Sequence, residues 1–277
     1  MILLRTERVD AQLEAFAKSL EELSGLPTLF LVDERRGAVD AMGRRKISIT
    51  QKACEDIGLY CPDDFGWRCG DYGFYLARAQ YPETATIWMI ENDVRIAGTD
   101  PAAFFRKFRD EKADFVASYL SPAEADWPWY KTLQARDARP FKCFFPVVRL
   151  SSHAIDLLRE KRRSQARRWN RRWLWPNDEG FVATTLVNAG IACMDLNNGE
   201  PSVYRPDEFS FAPVLDGALP IVSADPVALF HPVLEGEALM RKRERLQTRE
   251  NQRWTLSRVR RRAREAVLRR LNSQVRW

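Results

Sequence analysis

Five short apolar runs, each closed by polar or turn-forming residues and separated by stretches of helical periodicity, set the fold class of this chain. Thr28-Leu29-Phe30-Leu31-Val32 is short, apolar and bounded by Pro27 and the polar Asp33-Glu34-Arg35-Arg36-Gly37, as a buried strand should be. Ile47-Ser48-Ile49-Thr50, residues 86–90, Asp114 to Leu120 and Phe144 to Leu150 repeat the pattern. Between them lie helical spacings. Val9, Leu13, Phe16, Leu20 and Leu23 recur over residues 8–24 until Gly25-Leu26-Pro27 stops them. Asp71 to Tyr81 is helical up to the break at Pro82, and Pro101 to Glu111 is amphipathic through Phe104, Phe105 and Phe108. A further helix carries Ile155, Leu157 and Leu158 behind a Ser151 or Ser152 cap. Trp175 to Phe181 opens another, capped by Asn177 or Asp178. Strands alternating with helices predict an α/β domain with a mixed, mostly parallel sheet flanked by helices. Residues 63–70 and 200–235 read as loop and irregular chain.

With 277 residues and 45% hydrophobic side chains, the chain has the apolar material for one sizeable core. Its net charge of +6 conceals a division. Met240 to Trp277 holds fourteen basic and three acidic residues, a local charge of +11 against −5 for the remainder. The organisation expected is therefore a domain over residues 1–235 and a basic helical tail over 236–277. In that tail Val259, Ala263, Ala266, Val267, Leu271 and Val275 recur at three- and four-residue steps among arginines, with Trp254 and Trp277 at either end. Residues 254–277 thus suit an anionic membrane surface or a protein contact, and nucleic acid less well, for lack of a recognition motif. A second basic run spans Lys161 to Arg172. No uninterrupted apolar stretch reaches membrane-spanning length, and charge arrives too early for a secretory leader. A cytoplasmic protein is expected, with the tail at the inner face of the cytoplasmic membrane. Five cysteines without a CxxC pair suggest neither a disulfide framework nor a zinc site.

The run Trp88-Met89-Ile90 ends in Glu91-Asn92-Asp93. Alternation along a strand would turn both carboxylates to one side at its carboxyl end, where open α/β sheets bind their ligands. A Mg²⁺ or Mn²⁺ ion carrying a diphosphate takes one or two such carboxylates.

Other residues keep this turn company in a fixed order. Phe30-Leu31-Val32-Asp33-Glu34 and the helix at Gly70-Asp71-Tyr72-Gly73-Phe74-Tyr75-Leu76-Ala77-Arg78 precede it. Arg149-Leu150-Ser151, the acidic helix start Asp178-Glu179 and Phe230-His231-Pro232-Val233 follow. Over residues 27–235 this order resembles nucleotide-sugar glycosyltransferases of the A-type (GT-A), Rossmann-like fold. The resemblance implies a metal-dependent transfer of sugar from a nucleotide-sugar donor to a saccharide or lipid-linked acceptor, in cell-surface polysaccharide or glycolipid synthesis. It implies Mn²⁺ or Mg²⁺ as cofactor, with Asp93 a direct ligand and His231 completing the site; His153 is the weaker histidine. Glu91 departs from the usual Asp and would reach the ribose or a metal-bound water. Asp178 and Glu179 match the place of a catalytic base in inverting members, Glu179 being favoured because Asp178 can serve as a helix cap. Asp33, Gly70 and Asp71 would face the nucleobase or ribose, although capping suits Asp71 equally. Trp127, Trp129 and Tyr130 would stack on a sugar or anchor a loop. The alternatives are a nucleic-acid- or partner-binding protein with an α/β scaffold and basic tail, and a nucleotidyltransferase. The latter usually needs a Gly-rich phosphate loop that this chain lacks.

Overall fold

The computed structural model describes residues 1–133, 139–169, 171 and 174–248. Its elements run β1 (Ile2–Thr6), α1 (Ala11–Ser24), β2 (Thr28–Asp33), β3 (Lys46–Ile49), α2 (Gln51–Asp56), α3 (Phe65–Arg68), α4 (Tyr72–Gln80), β4 (Thr86–Glu91) and β5 (Arg95–Ala97). Then come α5 (Ala103–Lys107), β6 (Phe115–Pro122), α6 (Tyr130–Leu133), β7 (Phe141–Ser151), α7 (Ser152–Ala166), α8 (Asp178–Asn188), β8 (Cys193–Asp195), β9 (Leu215–Asp216), β10 (Ala228–Phe230) and β11 (Val233–Leu234). A helix over 236–248, α9, closes the described chain.

The expected mixed, mostly parallel sheet is present, in the order β3-β2-β1-β4-β7-β6-β8. Only β7 runs antiparallel to its neighbours. The interior strand β1, between β2 and β4, has no counterpart among the strands expected from the sequence. Its apolar run, Ile2-Leu3-Leu4, is too short for periodicity to mark it as a strand. The chain leaves β1 towards β2 and β3 on one side, then returns to β4 on the other, so the connections reverse between β1 and β4. That reversal opens a crevice at the carboxyl ends of these two strands.

Alternation along the strands divides the core. Leu3, Leu31 and Met89 face α4, α7 and α8. Ile2, Leu4, Phe30, Trp88 and Ile90 face α1 and α5. There the ring of Trp88 meets Phe104, Phe105 and Phe108 at 5.3, 6.1 and 5.6 Å. The helix expected from Pro101 to Glu111 shortens to α5, and a short helix, α3, stands where residues 63–70 read as loop. Of the caps the sequence offered, Gly25 ends α1, Ser151 rather than Ser152 starts α7, and Asn177 rather than Asp178 starts α8; Asp10 caps the start of α1. Residues 200–235 are less irregular than their composition suggests. They supply β10, which pairs antiparallel with β5 in the register Phe230 to Arg95, and β9 with β11.

Beneath the crevice lies a fully buried ion pair, Asp71 with Arg162, both 0% exposed. Arg162 Nε and Nη2 donate to the two carboxylate oxygens at 2.8 and 3.0 Å, and Tyr75 donates its hydroxyl proton to Oδ2 at 2.7 Å. Arg162 Nη1 donates to the Pro176 carbonyl at 3.1 Å, and its guanidinium lies 3.8 Å from the centre of the Phe181 ring. Asp71 accordingly neither caps α4 nor turns to the crevice, because its carboxylate is spent on Arg162 and Tyr75. A buried charge left without its partner costs several kcal/mol. Arg162→Met is therefore expected to lower unfolding stability by about 3–5 kcal/mol, and Asp71→Leu combined with it to restore much of that loss; urea titration of both variants measures each.

Candidate metal centre

Paired parallel strands set the first contact of the site. Arg5 of β1 and Glu91 of β4 are partners in register, so their side chains leave the same face side by side. Arg5 Nη1 donates to Glu91 Oε1 at 2.7 Å, and Nη2 donates to the Gly66 carbonyl at 2.6 Å. Strand alternation does not reach Asp93, contrary to the expectation. β4 ends at Glu91, and the Val94 N–H closes a turn onto the Glu91 carbonyl at 3.1 Å. The turn itself brings Asp93 back towards Glu91, and the Val233 N–H holds the Asp93 carbonyl at 2.7 Å.

His231 arrives through the β5–β10 pairing. Its Nδ1 lies 2.8 Å from the Ser210 carbonyl and, in the neutral ring, donates its proton there. The Nε2 lone pair is then left facing the acids, 3.4 Å from Asp93 Oδ1 and 3.8 Å from Glu91 Oε2. Asp93 Oδ1 is buried and has no hydrogen-bond partner. Glu91, Asp93 and His231 each offer one ligand atom, all within 4.8 Å of one another. Two carboxylate oxygens and one imidazole nitrogen, one oxygen being an orphaned buried acceptor, fit Mn²⁺ or Mg²⁺. Burial favours the uncharged form of both Asp93 and His231, yet each is overridden by the other's charge: Asp93 stays below the ordinary carboxylate range and His231 rises above the ordinary histidine value.

Behind the triad stands the start of α8. Asn177 is the cap, accepting from Gly180 N at 3.2 Å, which leaves Asp178 free for another task. Asp178 accepts from Gly70 N at 2.8 Å and from Glu179 N at 2.8 Å, and burial pushes its carboxyl up to about 7 despite the Arg5 charge. A side chain at position 70 would begin 2.6 Å from Asp178 Oδ2 and 2.7 Å from Arg5 Nη1, so Gly70 gives passage to this contact. Glu179 accepts from the Asn177 side chain at 3.0 Å and is pushed up to about 8 by burial and by Asp178. It lines a cavity of about 330 Å³ with Tyr119, Trp127, Lys142, Phe144 and Phe211. Phe144 and Ser210 belong both to this cavity and to the surroundings of His231, whose ring lies 5.2 Å from that of Phe144. Cavity and triad therefore share a wall.

Asp33, at the end of β2, is gripped by Arg35 through contacts of 2.8 and 2.7 Å. The Arg35 guanidinium occupies the space over Gly66 and lines a second cavity, about 310 Å³, with Glu34, Thr50, Gln51 and Phe65. The structure thus brings Glu91, Asp93, His231, Asp178, Glu179 and Gly70 to the crevice, keeps Asp33 at the neighbouring strand end, and takes Asp71 out of it. His153 is exposed on α7. Trp129 pairs instead with Trp67, ring to ring at 6.2 Å. Arg5 was missed with its strand; the only sequence signal for it was an apolar run of three residues.

No protein-family model matches the chain, and no curated protein matches it. Among solved structures it is similar to the galactosyltransferase LgtC, determined with donor and acceptor sugar analogs, at 12% identity and a TM-score of 0.40 over 70% of this chain and 72% of that one. It is also similar to a glycosyltransferase involved in glycosylation of the major capsid of PBCV-1, at 10% identity and a TM-score of 0.32 over 61% and 67% of the two chains. Among the described residues no helix is long and apolar enough to cross a membrane. The amphipathic stretch at 254–277 lies outside the described residues.

A protonated imidazole cannot ligate a metal, and the raised pKa of His231 extends that competition to higher pH. Mn²⁺ affinity measured by calorimetry is expected to fall by about tenfold per pH unit below that pKa; a pH-independent affinity would exclude His231 as a ligand.

Proposed function

We propose that this chain is a metal-dependent glycosyltransferase that moves a sugar from a nucleotide-sugar donor to a saccharide or lipid-linked acceptor. The observation that carries this reading is the convergence of Glu91, Asp93 and His231 at the point where the sheet connections reverse, with Glu179 in an adjoining cavity. Mn²⁺ or Mg²⁺ bound there supplies positive charge to a departing diphosphate. Arg5 and Arg35, on either side of the Gly66 peptide, add fixed cations at the same edge. The cavity beside Arg35, at the carboxyl ends of β2 and β3, is the place for the nucleoside, with Asp33 fixing the Arg35 fork.

Glu179 is the general base in this reading. It faces a cavity walled by aromatic rings, which offer apolar faces to a sugar. A carboxyl near 8 is a far stronger base than an ordinary one, and it removes the acceptor hydroxyl proton as the oxygen attacks the anomeric carbon. Attack from that side inverts the anomeric centre. Asp178 acts through position alone, fixing the start of α8 against Gly70. Synthesis of cell-surface polysaccharide or glycolipid, with the basic tail at an anionic membrane face, is the setting that suits a lipid-linked acceptor.

Nucleoside diphosphates with Mn²⁺ should raise the melting temperature, since ligand at 100 times its Kd stabilises by about 2.7 kcal/mol. The gain should disappear in Asp93→Ala, along with donor turnover. Full turnover in that variant would falsify the metal assignment.

Glu179→Gln should cost about 10²–10⁴ in kcat while sparing nucleotide binding, and should abolish a rise in rate through pH 8. The same change should stabilise the fold in alkali. A carboxyl raised to about 8 holds its proton in the folded chain while the unfolded chain has released it, so stability declines from about pH 4.5 to 8. Removing that penalty should gain about 1–3 kcal/mol at pH 9, read from urea midpoints of the two proteins.

A further inference from the structure

Apart from Arg162, the described basic residues of the run 161–172 take no part in the crevice, and three of them border a cavity of their own. This cavity, about 300 Å³, lies among α6, α7 and α8, within the usual range for small-molecule pockets. Its floor is apolar, formed by Leu133, Trp175 and Phe181. Its rim carries Lys161, Arg168 and Arg171, and no carboxylate lines it among the described residues.

These three cations, Lys161 on α7 and Arg168 and Arg171 beyond its end, differ from Arg159, Arg162 and Arg163 of the same helix. Arg159 pairs with Asp156, Arg163 with Glu160, and Arg162 is buried on Asp71. Lys161, Arg168 and Arg171 have no ion-pair partner among the described residues, and Arg171 is held over the Tyr60 ring at 5.2 Å. Three uncompensated cations above a greasy floor call for an anionic head on an apolar body. Gln165, also in the wall, has a buried amide oxygen without a partner. A monoprotonated phosphate monoester has both an O–H to give that oxygen and acceptor oxygens for the arginine forks. A recessed cavity of this size admits one chain rather than a flat membrane face.

We propose that this cavity binds a single-chain amphiphile with a phosphate head, an alkyl or isoprenyl phosphate. The site is separate from the Glu91-Asp93-His231 triad and stands or falls without it.

Calorimetric titration of the full chain with decyl phosphate, kept below micelle formation, tests this against inorganic phosphate and decyl maltoside. Decyl phosphate is expected to bind one to one and about tenfold or more tighter than either control, because only it meets both the rim and the floor. Arg168→Ala should weaken it at least about fivefold, whereas Arg109→Ala, an exposed arginine on another part of the surface, should not. Inorganic phosphate binding as tightly would show a bare anion site, and decyl maltoside binding as tightly a mere apolar patch. Either result overturns the proposal, as does absence of binding or an equal effect of the two arginine variants.

Discussion

The Asp71–Arg162 pair is the constraint on which the crevice depends. Burying two charges is costly, and their mutual attraction alone rarely repays it. Here the cost is offset by directional contacts that an apolar pair could not make. Arg162 holds the start of α4 through Asp71 and the approach to α8 through the Pro176 carbonyl, while three aromatic rings cover its faces. The residue before Asp71 is Gly70, whose N–H meets Asp178; the residue after Pro176 is Asn177, which caps α8. One guanidinium therefore fixes two helix starts against each other, and through them Asp178 and Glu179.

The second constraint is charge. Glu91, Asp93, Asp178 and Glu179 are gathered in one region, with Arg5 and His231 against them and the charges of Lys142 and Lys242 within reach. Protons temper that crowding: burial keeps them on Asp178 and Glu179, and His231, facing Asp93, retains one more readily than an ordinary imidazole. A divalent ion held there would serve the same electrostatic need as these protons and would compete with them.

Much of this was legible in the sequence because it is local. Helix caps, the apolar strands and the acidic turn are written in neighbouring residues, and Asp10, Gly25, Ser151 and Asn177 take up the caps that short-range rules assign them. What escaped is long-range. Asp71 has the position and chemistry of a cap, but a buried arginine 91 residues away claims it. Arg5 stands in a strand too short to be read by periodicity, yet that strand becomes interior to the sheet once β2 and β4 pair with it. His231 reaches the acids through the long-range pairing of β5 with β10, two strands of three residues each, and the contact of Val233 with Asp93. The acidic turn was found for a reason that proved incomplete, since a turn and not strand alternation joins its two carboxylates.

That last point explains why the first acid is Glu and the second Asp. Glu91 is still part of the sheet, in register with Arg5, and its side chain must serve two directions from a fixed backbone. Oε1 is taken by Arg5 at 2.7 Å, and Oε2 must still reach into the space before His231, from which it lies 3.8 Å. A side chain one methylene shorter, from the same strand position, would have to give up one of these. Asp93 has left the sheet. Its backbone is carried to the imidazole by the turn and held there by Val233, so a short side chain suffices, and a longer one would overshoot a nitrogen only 3.4 Å away. The difference between the two acids thus follows from where the strand ends: one is placed by the sheet and must reach, and the other is placed by the turn and need not.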